Sequence, residues 1–301
     1  MATTQLAPVA VGIRNVLIAT DFSPYSNTAM DFGLRLANDY SANAYIVFVV
    51  PNDQYLLAGP EAYVAARDAA QRDLEELQAE LRKNPRYGAG NCHLYLLDGE
   101  IARAILDFAH RRQADLIVLG THGRGGLRKA MLGSVAENVF RHSPVPVLTL
   151  GPDVGAPGLH DPPREILVAA DFTPASQQAL RYAAGLARKH QSNLTLLHVL
   201  DPRQIQHVPD RAAVEHGLVM RLTKLARQEA EDIHCAVRVE AGPVTQTILD
   251  VAQEQAADLL VLGVRPSVGV LDRLMFPHAY EIVRGAPCPV LTLREAKSSS
   301  D

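Results

Sequence analysis

Apolar positions along the chain show two alternating textures. Short, nearly unbroken apolar runs occur at "NVLIAT" from Asn15, "NAYIVFVV" from Asn43, "CHLYLL" from Cys92, "DLIVLG" from Asp115 and "PVLTL" from Pro146. Their length and branching predict strands buried on both faces. Between them, residues 23–40, 61–83, 100–112 and a segment from about 134 carry apolar residues every three or four positions, which predicts helices packed on one face. Strands alternating with helices imply right-handed crossovers and a parallel sheet covered on both sides, a doubly wound α/β domain. Ser23 before Pro24, and Thr173 before Pro174, each predict a capping hydroxyl followed by a proline at the first helical position, where a missing N–H costs nothing.

The texture occurs twice. "VLIATDFSPYSNTAMDFGLRLA" from Val16 lines up with "ILVAADFTPASQQALRYAAGLA" from Ile166, 150 residues on. "DLIVLGTHGRGG" from Asp115 lines up with "DLLVLGVRPSVG" from Asp258, 143 residues on, so the second copy is shorter in its middle. A unit of about 140 residues is a complete domain rather than a solenoid repeat. The expected division is residues 1–150 and 165–301, with the Gly- and Pro-rich stretch 151–164 as linker.

Composition narrows the partners. The net charge of −4 is small and the basic residues are scattered, which argues against nucleic acid. No apolar stretch approaches the ~20 residues that span a bilayer, and the start of the chain lacks a basic segment followed by a long apolar one. No membrane association and a cytoplasmic location are expected. Cys92, Cys235 and Cys288 show no CxxC spacing and suit a reducing compartment as structural thiols. The eleven histidines do not cluster at metal-ligand spacing, so no zinc is expected.

Candidate chemistry gathers where the predicted strands end. Ligands of open parallel sheets sit at strand carboxyl ends, in the crevice where successive crossovers take opposite faces. With the strand order 3-2-1-4-5, Asp21 after the first strand and the loop "GTHGRGGLRKAMLGS" from Gly120 share one crevice. Glycines let backbone N–H groups approach an anion, and the helix that follows adds unpaired donors and partial positive charge. Ser134 would serve as a cap or a phosphate contact. The loop is neither a Walker loop nor a GxGxxG fingerprint.

Gly120, Gly123, Gly133 and Ser134 fit the pattern G-x2-G-x9-G-[S/T], and on these residues the chain resembles the universal stress protein family. The two "DF[ST]P" turns and the terminal "PVPVLTL" and "PCPVLTL" strands share the likeness, which covers nearly the whole chain twice, as in a tandem universal stress protein. The resemblance implies two Rossmann-like domains of the adenine nucleotide alpha hydrolase-like kind. It also implies ATP as ligand, with Asp21 at the adenosine end and Val49 meeting adenine through its backbone. Gly120, Gly123, Gly133 and Ser134 would hold ribose and phosphates, with Mg²⁺ or Mn²⁺ on the phosphate oxygens.

The second copy departs from that pattern. Gly263 survives, but Pro266, Phe276 and Pro277 stand in place of Gly123, Gly133 and Ser134, removing backbone donors and adding a ring, so this copy is expected not to bind ATP in the family manner. Asp171 and Val199 persist there. In the family the last strand pairs with its counterpart in a second domain, so an intramolecular pseudo-dimer is expected, with further self-association as a homodimer left open. The functional expectation is an ATP-dependent stress-response regulator acting on an unknown protein partner, its second domain a non-binding dimerisation partner. A slow ATPase or phosphoryl-transfer enzyme, with His122 as the sole candidate near the loop, and a nucleotide-independent scaffold are the alternatives.

Overall fold

The structure is a computed structural model that describes residues 11–52, 59–84, 91–121, 132–152, 154, 162–206, 210–264 and 277–294. It divides into two compact units, one spanning Gly12–Pro152 and the other comprising the rest of the chain. The first contains β1 (Asn15–Ala19), α1 (Pro24–Asp39), β2 (Asn43–Val50), α2 (Pro60–Lys83), β3 (Cys92–Asp98), α3 (Ile101–Arg111), β4 (Leu116–Gly120), α4 (Ser134–His142) and β5 (Val147–Leu150). The second contains β6 (Glu165–Ala169), α5 (Pro174–His190), β7 (Asn193–Leu200), the single turn α6 (Pro202–Ile205), α7 (Arg211–Glu229), β8 (Cys235–Ala241), α8 (Val244–Glu254), β9 (Leu259–Val264), α9 (Pro277–Gly285) and β10 (Val290–Arg294).

Within the first unit the strand order is β3-β2-β1-β4-β5, and every pairing is parallel. The second unit repeats it as β8-β7-β6-β9-β10. Both are therefore doubly wound with the order 3-2-1-4-5. The central strands are apolar throughout because helices cover both faces; Leu17, Ile18, Ile46 and Ile117 are fully buried, each contributing about 1.5–3 kcal/mol of transfer free energy. The outer strands β3 and β8 are only half covered and share the same pattern of exposure along their length. Among the described residues, no helix is long and apolar enough to cross a membrane.

One carboxylate pins the amino end of each sheet. Asp115 Oδ2 accepts the backbone N–H groups of Arg14 and Asn15 at 2.8 and 2.9 Å. Asp258 Oδ2 accepts those of Arg164 and Glu165 at the same distances. These bonds register the first strand of each unit against the fourth, which brings the carboxyl ends of the same two strands level.

Candidate functional site

At the carboxyl end of β1 the chain turns into α1 through Thr20, Asp21, Phe22 and Ser23. Ser23 caps the helix, its Oγ accepting the Ser26 N–H at 3.2 Å, and Pro24 is the first helical residue. Phe22 sits at φ +59, a left-handed conformation that side chains other than glycine rarely adopt. Two contacts hold it there. Its N–H donates to Thr20 Oγ1 at 3.0 Å, and its ring stacks on Phe48 with centroids 5.3 Å apart. Thr20 Oγ1 is also 3.2 Å from Ser26 Oγ, a buried hydroxyl pair under the turn. Asp21 Oδ1 accepts the Ser23 N–H at 3.0 Å, so the carboxylate helps close the turn.

Gly120 is the last residue of β4. A Cβ there would lie 3.1 Å from the carbonyl carbon and oxygen of Tyr25 and 3.2 Å from the Ser26 nitrogen, all in the first turn of α1. Glycine at this position thus eases a close approach of helix and strand. The loop beyond it includes Gly123 and His122, which lie outside the described residues. Its two ends are tied together, because Gly133 N–H donates to the Thr121 carbonyl at 2.7 Å.

Gly133 is the N-cap of α4, and Ser134 is its first helical residue and exposed. The capping role open to Ser134 in the sequence therefore falls to Gly133, whose carbonyl accepts the first helical bond, from Glu137 N–H at 2.9 Å. Helix geometry leaves the amides of residues 133 to 136 without intrahelical acceptors. Among the described residues, no side-chain cap bond is made at this N-terminus, and the Gly133 amide is taken up by the Thr121 carbonyl. The amides of Ser134, Val135 and Ala136 form a donor set suited to a phosphate, reinforced by the helix dipole. The buried Glu137 in the same turn is paired with Arg141 at 3.4 Å.

Val49 lies one residue from the carboxyl end of β2, buried, and opposite Leu97 of β3. β1 and β4 are adjacent, paired through Ile18 and Val118. Carried two residues on, that register brings Thr20 level with Gly120, so the Asp21 turn and the end of β4 lie at the same side of the sheet. Asp21, Val49, Gly120, Gly133 and Ser134 all sit at the carboxyl side of the sheet. Among the described residues, no group of three His, Cys, Asp or Glu side chains could hold a metal ion.

The second unit repeats the turn with different chemistry. Phe172 again sits at φ +61, and Asp171 Oδ1 accepts the N–H and the hydroxyl of Thr173. Thr173 caps α5, accepting the Ser176 N–H at 3.3 Å. Ala170 replaces Thr20, and His198 replaces Phe48, its ring 4.7 Å from Phe172 with Nδ1 2.7 Å from the Ala170 carbonyl. The Arg221 guanidinium lies 4.0 Å from the centre of the Phe172 ring. A Cβ on Gly263 would be 2.3 Å from the Ala175 carbonyl carbon, so this glycine is required by helix packing. That accounts for its survival where the counterparts of Gly123 and Gly133 are gone. Pro266 and Phe276 lie outside the described residues, while Pro277 opens α9 as Ser134 opens α4, without an N–H to offer.

A sequence model of the universal stress protein family matches residues 12–150 and again residues 163–294. A universal stress protein of Mycolicibacterium smegmatis is 25% identical over 292 residues, covering 93% of this chain and 96% of its own length. Another, from Methanocaldococcus jannaschii, is 30% identical over 138 residues, which is 46% of this chain and 81% of the relative. The crystal structure of a universal stress protein from Archaeoglobus fulgidus shares the fold with a TM-score of 0.69 at 23% identity, covering 93% of this chain and 98% of that one.

Proposed function

The chain belongs to the universal stress protein family, and from that premise we propose that its N-terminal domain binds ATP as the switch of a stress-response regulator. Adenosine is assigned to the end of the crevice near Asp21 and Val49. The phosphates are assigned to Gly120, Gly123, Gly133, Ser134 and the open amides of α4. Mg²⁺ or Mn²⁺ would ride on the phosphate oxygens, keeping most of its waters, and would supply charge neutralisation.

The observation that carries this reading is the difference between two copies of one fold. Glycine is present in both copies at 263, where packing demands it, and at 120, where the approach of α1 is close but looser. The remaining positions, Gly123, Gly133 and Ser134, are lost together in the C-terminal copy, where Pro266, Phe276 and Pro277 stand. A set that disappears as a unit is what a shared ligand would select. The C-terminal domain is accordingly assigned a non-binding role. Binding rather than turnover is the proposed chemistry, because apart from His122 the sequence presents no acid or base tied to the loop by a recognisable motif.

Mass spectrometry of small molecules released from gently purified, then unfolded, protein tests the reading. ATP is expected at up to one equivalent per chain. Preparations free of any adenine nucleotide, with no affinity for added Mg-ATP, would reject it.

A further inference from the structure

α2 and α7 occupy the same place in the two domains and differ in how their first halves are held. In α7, residues Arg211–Met220 are exposed apart from the half-buried Val214 and Leu218, and Met220 is 59% exposed. In α2, Tyr63 packs against a cluster of Phe48, Val50, Ala70 and Leu74 that Phe22 also joins. The same tyrosine donates its hydroxyl to Asp98 Oδ1 at 2.5 Å. Arg67 Nη1 donates to both oxygens of that carboxylate, at 2.6 Å to Oδ1. The hydrogen bond to Asp98 raises the Tyr63 phenol above its ordinary pKa. Asp98 is the last residue of β3; the C-terminal domain has Ala241 at that position and no carboxylate to offer.

None of residues 61–69 of α2 is fully buried, so local opening of that half breaks little packing and the ties of Tyr63 and Arg67 to Asp98 bear directly on it. The anchor also reaches the candidate site through named contacts. Asp98 holds Tyr63, Tyr63 packs on the cluster that includes Phe48, Phe48 stacks on Phe22, and Phe22 follows Asp21.

We propose that Asp98 is a positioning residue of the N-terminal site: through Tyr63 and Arg67 it clamps the first half of α2 beside the Phe22–Phe48 stack, and the clamped helix is the state that binds nucleotide. This rests on the ATP reading above. The clamp predicts two effects of Asp98→Ala, which copies Ala241, in the full-length chain. Without ligand, amide exchange over residues 61–69 should rise about tenfold as local opening becomes easier. The Kd for Mg-ATP should rise about fivefold, because apparent affinity falls with the fraction of molecules in the competent state. Tyr63→Phe keeps the ring in its cluster and removes only the hydroxyl, so it should move both quantities the same way by about twofold.

Unchanged exchange over residues 61–69 in both variants would overturn the clamp. Raised exchange with unchanged Kd would overturn its link to binding. If the unaltered chain has no affinity for Mg-ATP, the nucleotide reading and this one fall together; if it binds and the Asp98→Ala chain binds equally well, only this one falls.

Discussion

Gly263 and Ala175 are neighbours only because Gly263 has no side chain: a Cβ there would lie 2.3 Å from the carbonyl carbon of Ala175. In the N-terminal domain the corresponding approach, Gly120 to Tyr25, is looser at 3.1 Å. Backbone cannot yield as a flexible side chain can, so the two glycines should differ in what they tolerate. Gly263→Ala is expected to destabilise its domain by about 3 kcal/mol or more, and Gly120→Ala by about 1 kcal/mol. Denaturant unfolding of the ligand-free chain measures both. Equal costs would show that the closer approach in the C-terminal domain relaxes freely.

Gly133→Phe reproduces the residue at Phe276. The backbone at Gly133 has φ −60 and ψ 138, which any residue adopts, and its N–H bond to Thr121 does not involve the side chain. The fold should therefore persist, with a stability change within about 1 kcal/mol. Mg-ATP binding should be lost, together with the stabilisation of about 2.7 kcal/mol that a ligand gives at a hundred times its Kd. Calorimetric titration and a melting curve with Mg-ATP check the pair. Retained affinity would remove Gly133 from the site.

Ala256 follows α8 in a left-handed conformation at φ +47, where a Cβ is strained. Ala256→Gly relieves that strain but frees the unfolded chain, and the difference should leave a gain of about 0.5–1 kcal/mol. A raised unfolding midpoint with an unchanged denaturant slope is the expected result. A loss of stability would mean that chain entropy outweighs the strain at this position.

The three cysteines are free thiols, and burial raises their pKa, to about 11 for Cys92 and Cys235 and about 12 for Cys288. At pH 8 the native protein should react with iodoacetamide at least about a hundredfold more slowly than the unfolded chain, since the thiolate is the nucleophile. A raised folded pKa contributes stability that is complete below the unfolded value near 9 and is lost as pH climbs through the folded value. The unfolding midpoint should accordingly fall between pH 9 and 12. Cys288→Val, which installs the residue found at Val145, should make that fall shallower. An identical alkaline profile in the variant would assign the loss to other groups.

The kinds of element, their order and the duplication are readable from residue order alone. Apolar period and run length are local properties of a chain, and a parallel sheet with right-handed crossovers leaves few arrangements for five strands and four helices. Caps such as Ser23 before Pro24 are equally local, since donor and acceptor lie three residues apart. Other features depended on how the elements stack. Helices α1, α3, α5 and α8 are followed by Ser41, Gln113, Gln191 and Ala256 at positive φ, none of them glycine, so composition could not mark those ends.

Gly120 reads in sequence as part of an anion loop, and only the approach of α1 shows that a side chain there would press on the first turn of that helix. Tyr63 and Asp98 are 35 residues apart and carry no motif; they meet because α2 crosses back over the end of β3. Pattern along the chain determined which segments would be strands and helices, since that depends on each residue's neighbours in sequence. The identity of the residues that touch at the crevice was decided by close packing in three dimensions, where sub-ångström differences in approach separate a tolerated side chain from an excluded one.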